Sequence, residues 1–338
     1  MTGPVPRVQR PQYAGLADAA NHLCGRARNL YGVTTQLTMR RAPKLSEFPR
    51  YPVTAGTAAI ALGVTIAWWA KADISPLLET AMIRRGELWR LLTSIFPHLD
   101  VMHLAFNIYW LWVFGTLVEE VYGHLKTAAL VILFALGSNS LEFAFLQGGV
   151  GLSGVGYGLF GMLWMLSRRD GRFREAVDDK TVLLFLAWFV FCIVTTATHI
   201  FSVANIAHGV GAILGVLVGI AITLPPHRIP AAAGAGAILL FGLLGATFAR
   251  PFVNLSSRSG YEEAKWGYDA LLANRNYEAA RWLRDATRYQ PKVSLFWYDL
   301  GIAYERLGSR TAAIAAYERA HQLEPGNQDF SRAAAEAK

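Results

Sequence analysis

Seven apolar runs, at residues 53–70, 102–121, 127–145, 152–166, 182–197, 203–224 and 231–249, decide what solvent this chain folds in. A run of about 20 apolar residues spans the ~30 Å hydrocarbon core of a bilayer as a helix. Lipid offers no partners to backbone N–H and C=O groups, so each run must satisfy its own. The expected fold is therefore an all-α polytopic membrane bundle. Several runs are shorter than a normal span, which implies tilt, bilayer thinning or partial burial. Composition agrees: 53% of residues are hydrophobic and 17% charged, against roughly a quarter charged in soluble domains. No cleavable signal peptide is read, because the first apolar run starts near Val53.

Charge gives orientation. The formal charge of +8 would suit a nucleic-acid partner if it were one patch, but the basic residues cluster beside the apolar runs, where they set topology. Residues 1–50 carry eight Lys or Arg and two Asp or Glu, and are expected to form a basic cytoplasmic segment, with at most a weakly amphipathic helix over 14–38. Loop 167–180 holds Arg168, Arg169, Arg172, Arg174 and Lys180 and falls on the same side, as do His227 and Arg228. Loop 71–100 falls on the outer side although it carries Arg84, Arg85 and Arg90. Cys24 and Cys192 are far apart, with no disulfide framework or metal spacing.

Polar residues inside the runs are the next signal, since ionisable groups at membrane depth are costly and mark function by default. His103 and Asn107 lie one turn apart in the second run. Ser153 opens the fourth run between Gly151 and Gly154, with Tyr157 one turn below. His208 stands in the sixth run ahead of Gly211, Gly215 and Gly219. Gly154, Gly158 and Gly161 form a second small-residue seam, and such seams let helix backbones approach closely. Each polar residue alone reads as a helix-packing hydrogen bond. Together they sit at similar depth, because the second, fourth and sixth runs start from the same side.

A serine hydroxyl becomes a nucleophile when a neutral histidine takes its proton, and acyl transfer needs donors aimed at the oxyanion. Ser153 and His208 fit the first pair. Asn107, His103 and the Ser153 N–H fit the second requirement, and Tyr157 can pack against the His208 ring. No carboxylate is read as a third member, so a dyad is expected, with no metal or cofactor.

These residues stand in motifs that resemble the rhomboid family of intramembrane serine proteases. GxSG is matched by Gly151-Leu152-Ser153-Gly154, AHxxGxxxG by Ala207 to Gly215, and HxxxN by His103 and Asn107. GxxxExxxG is matched by Gly115, Glu119 and Gly123, and the loop motif by Trp89-Arg90. The resemblance covers about 52–225. It implies Ser153 as nucleophile, His208 as base, His103 and Asn107 on the oxyanion side, and Arg90 within a structured loop. It also implies single-span membrane proteins as substrates and a six-plus-one arrangement of spans. A catalytically silent, client-binding relative is the alternative; a transporter is a further rival, although the runs show no inverted repeat.

From residue 260 the composition turns charged and alanine-rich. A period of 34 pairs Ala279 with Ala313, Leu283 with Tyr317, Ala286 with Ala320 and Pro291 with Pro325. The second copy, with Trp297, Leu300, Gly301 and Tyr304, resembles a tetratricopeptide repeat; the first has Trp266-Gly267 in place of Leu-Gly. The expected organisation is a basic segment at 1–50, a six-helix rhomboid-like domain at 51–225, a linker and seventh span at 226–250, and a repeat domain at 251–338. An odd number of crossings from a cytoplasmic start puts the repeats outside a bacterial plasma (inner) membrane, where they can bind a protein partner. Water is expected to reach the dyad from that side, with loop 199–204 and the fifth run as the moving gate.

Overall fold

The computed structural model describes residues 43–337. The basic segment before residue 43, with the expected helix at 14–38 and Cys24, lies outside the described residues. The rest is helical. Among the described residues, six helices are long and apolar enough to cross a membrane: α1 (Pro52–Trp69), α2 (Val101–Tyr122), α3 (His124–Phe145), α5 (Asp179–Ala197), α6 (Asn205–Thr223) and α7 (Pro225–Val253). Between α3 and α5 in the chain lies α4, Ser153–Ser167, with 15 residues. At 1.5 Å rise per residue it is only about 22 Å long. It does not need to reach both surfaces, because it is buried inside the bundle from Gly154 to Met162 apart from Gly156. The chain is thus an integral membrane protein, and its described residues place six membrane-length helices around a short central one.

Glycine sets the closest packing. A methyl group at Gly211 would sit on the Gly154 carbonyl oxygen, one at Gly215 on the Gly158 carbonyl oxygen, and one at Gly161 on the Ala212 carbonyl oxygen. Helices α4 and α6 therefore touch backbone to backbone along the two seams seen in the sequence. Between helices already in lipid, dispersion and close fit replace the hydrophobic effect as the attractive term.

The other contacts hold α1 and loop 70–100 in place. Pro52 starts α1, where no N–H is needed, and the Glu119 carboxylate of α2 accepts the N–H of Val53 (2.9 Å), the N–H of Thr54 (2.8 Å) and the Thr54 hydroxyl (2.7 Å). Loop 70–100 is structured. The buried Arg90 guanidinium donates to the carbonyls of Ser75 (2.5 Å) and Leu78 (3.1 Å) and pairs with Glu87 at 2.6 Å, while Trp89 is exposed.

After α7 come α8 (Tyr261–Leu272), α9 (Asn276–Tyr289), α10 (Ser294–Arg306), α11 (Arg310–Leu323) and α12 (Gln328–Glu336). Gly301 lies against Tyr317 and Gly267 against Leu283. The first hairpin, despite its divergent sequence, thus packs as the second does. The repeats dock on loop 70–100, and Arg84 and Arg85 both point to Asp285 of α9.

Candidate active site

Ser153 is the first residue of α4, so its N–H has no intrahelical acceptor. Gly151 just before it has φ +108°, a conformation a side chain would strain. A Cβ there would also meet the His103 ring at 2.7 Å. The turn is pinned on both sides: Gly151 N–H donates to the Ser94 carbonyl (3.1 Å), and Leu152 N–H donates to His98 Nε2 (3.3 Å). His98 lies fully buried, 4.9 Å from the His103 ring centroid. Burial, with His103 beside it, pushes its pKa down to about 4. A neutral ring suits its contacts, with Nδ1 donating to the Phe96 carbonyl at 2.9 Å beside the Thr65 hydroxyl at 3.4 Å, and Nε2 accepting from Leu152.

The glycine seam carries α6 against α4 and brings His208 Nε2 to 2.8 Å from Ser153 Oγ. The imidazole stacks on the Tyr157 ring, with centroids 4.7 Å apart and planes 25° from parallel. Tyr157 is itself fixed by donating to the Phe185 carbonyl at 3.2 Å. His208 Nδ1 is buried and makes no hydrogen bond among the described residues. A carboxylate does stand in the third run, but elsewhere: Glu142 accepts the N–H of Ala207 at 3.0 Å. It caps the first turn of α6 instead of meeting the ring.

The buried Asn107 donates to the His103 carbonyl at 2.9 Å. Ser153, His208, Tyr157 and His103 with the Gly151 turn are therefore brought together. Gly154, Gly211 and Gly215 serve the α4–α6 contact, while Trp89, Arg90 and Glu119 act at a distance, in the loop and at the foot of α1. Sequence reasoning missed Glu79, Ser94, His98 and Glu142. Glu142 was visible as the lone acid in a 22-residue membrane-length helix. Glu79 and His98 lie in a loop, where polar residues carry no signal.

Comparison with known proteins gives the class. Residues 85–225 match the rhomboid domain, and residues 294–327 match a tetratricopeptide repeat. The chain is 32% identical over 167 residues to the rhomboid protease GlpG of Salmonella paratyphi A, Salmonella newport and Salmonella typhi. That stretch is 48% of this chain and 57% of theirs, so the chain spans little more than half the length of these curated relatives. It is an integral membrane protein with a rhomboid domain related to that of GlpG and a C-terminal tetratricopeptide repeat. The rhomboid match starts at Arg85, whereas the resemblance read from the sequence started near residue 52, so α1 lies outside it.

Proposed function

We propose that this chain is an intramembrane serine endopeptidase that cleaves single-span membrane proteins within or near the bilayer. The 2.8 Å approach of His208 Nε2 to Ser153 Oγ inside the bundle carries this reading. Ser153 Oγ adds to the scissile carbonyl carbon as its proton passes to His208 Nε2. The oxyanion faces the Ser153 N–H, with His103 and the second N–H of the Asn107 amide as further donors. The imidazolium then protonates the leaving amine, and a water repeats the sequence on the acyl-enzyme. Stacking on Tyr157 keeps the ring oriented in place of a carboxylate.

A substrate helix has to reach Ser153 sideways. Helix α5 is held to α2 by aromatic pairs, Phe106 with Trp188 (centroids 5.1 Å apart) and Trp110 with Phe185 (4.9 Å). These pairs are ring contacts without hydrogen bonds, and parting them gives up one hydrogen bond near the site, from the Tyr157 hydroxyl to the Phe185 carbonyl, which suits α5 and loop 199–204 to the role of gate. The basic loop after α4 supports a cytoplasmic start and extracytoplasmic repeats. The docking of the repeats on loop 70–100 supports both lying on one side. There the repeats can hold the outer part of a substrate or a partner protein and raise its local concentration.

The test is cleavage of a single-span reporter in proteoliposomes. The wild-type protein should cut it, and Ser153→Ala should not while accumulating to the same level. Equal cutting by Ser153→Ala would remove the proposal.

A further inference from the structure

The repeat domain is joined to the bundle by a buried polar interface that no capture module requires. Glu262 of α8 accepts the Ala81 N–H at 3.1 Å. Arg84 Nη1 lies 2.9 Å from Asp285 Oδ2, an ion pair without hydrogen-bond geometry, and Arg84 Nε donates to the Thr247 carbonyl at 3.1 Å. The Arg85 guanidinium lies over the Trp282 ring, 3.9 Å from its centroid. Ala81 is fully buried at this contact, and Ile83 is fully buried against Phe143 of α3 and Ala246 of α7.

Two residues before Ala81 stands Glu79, which points the other way. Its Oε2 accepts the Gly149 N–H at 2.8 Å, and its Oε1 lies 3.3 Å from the Ser94 hydroxyl, which donates to it. Gly149 is four residues before Ser153. Ser94 also accepts from Asn139 at 2.9 Å, and its carbonyl accepts the Gly151 N–H.

A second tie reaches the same turn from behind. Buried Arg250 of α7 donates to the carbonyls of Phe143 (2.8 Å) and Leu146 (3.2 Å) and to the Tyr289 hydroxyl of α9 (3.1 Å). Asn254 donates to the Leu146 carbonyl at 2.6 Å, and Gln147 to the Ser256 hydroxyl at 2.8 Å. The C-terminal carbonyls of α3, which have no intrahelical donor, are thus satisfied by the segment leading into the repeats.

We propose that the repeat domain is a support of the nucleophile turn: docking fixes 81–85, these fix Glu79, and Glu79 fixes Gly149 and so Ser153. Glu79 is then a positioning residue acting through Gly149, and the repeats are needed even for a substrate that they never touch. This rests on the protease reading for its activity arm only.

The experiment compares full-length protein carrying Trp282→Ala with Asp285→Ala, Glu79→Ala, and all three changes. It measures kcat and KM on a single-span reporter with no outer domain, and amide exchange across 147–152. Undocking is expected to lower kcat about tenfold at unchanged KM, since a misplaced nucleophile costs rate. Glu79→Ala should do the same, and the triple variant should be no worse than Glu79→Ala. Glu79→Gln, which keeps an acceptor for Gly149, should recover most of the rate. Exchange at 147–152 should rise in every undocked variant. Unchanged kcat and exchange on undocking, effects that multiply in the triple variant, or a change in KM alone would overturn the proposal. If the undocked pair does not accumulate, Glu262→Leu, which removes the acceptor of the Ala81 N–H, and Arg84→Ala take its place with the same expectations. If the wild-type protein cuts nothing, the protease reading falls, and the exchange arm still decides the support.

Discussion

Glu142 Oε2 accepts the backbone N–H of Ala207 at 3.0 Å, so a carboxylate from α3 caps the helix that carries His208 on its next residue. Helix N-termini leave their first N–H groups without partners and favour negative charge there. Glu142→Leu should remove this cap, at a cost of about 1–2 kcal/mol, and lower turnover by letting His208 drift. Glu142→Gln keeps an acceptor and should stay within a few fold of wild type. Equal loss in both variants would mean that the charge itself, and not the capping bond, is what matters. Steady-state cleavage and thermal unfolding in detergent check both.

The proposed oxyanion role of two residues is tested by Asn107→Ala and His103→Ala. Losing one such donor costs about 3 kcal/mol in the transition state, roughly a hundredfold in kcat. Each variant should retain residual turnover, because the Ser153 N–H remains. A large rise in KM at unchanged kcat would make these residues substrate-binding groups instead.

The α4–α6 contact predicts a sharp difference among glycines. A methyl at Gly215 would meet the Gly158 carbonyl oxygen and lie 2.7 Å from the Met162 nitrogen, and backbone cannot step aside. Gly215→Ala should therefore cost about 1–3 kcal/mol and move His208 away from Ser153. Gly236, with nothing within 4 Å, should accept alanine without effect. Unfolding temperature and cleavage rate, measured side by side, would contradict this if the two variants behaved alike.

In the repeats, burial pushes the Asp299 carboxyl from 3.8 up to about 6. A raised folded-state value means that ionisation destabilises the fold. Stability should be highest below pH ~4 for this group and fall until about pH 6. Each pKa unit is worth about 1.4 kcal/mol, so Asp299→Asn should stabilise α10 by roughly 1–3 kcal/mol at pH 7 and by little at pH 4. Hydrogen-exchange protection of α10, compared between variant and wild type at each pH, would refute this if asparagine destabilised the helix at pH 7.

What the sequence disclosed followed from local rules. Ser153, His208, His103 and Asn107 stood out because polarity inside an apolar run is costly. The seams at Gly154 to Gly161 and Gly211 to Gly219 followed from helical spacing. The bond from Glu79 to Gly149 joins positions 70 residues apart, and that from Ala81 to Glu262 joins positions 181 apart. No periodicity records such pairs. Arg84 and Arg85 looked like exceptions to the charge rule of their loop. The structure pairs them with Asp285 and Trp282 of the repeats, a contact that only the folded chain shows. Glu142 was visible as an acid, but its partner is a backbone N–H, a group every residue has.

The most direct test of the account is covalent labelling by a fluorophosphonate probe, read by peptide mass on the full-length protein. The wild type should be modified at Ser153 alone. Ser153→Ala and His208→Ala should remain unmodified while accumulating in the membrane, and the double variant should be no different from either, since the pair acts as a unit. Labelling that survives Ser153→Ala, or a folded wild-type protein that takes no label, would contradict it.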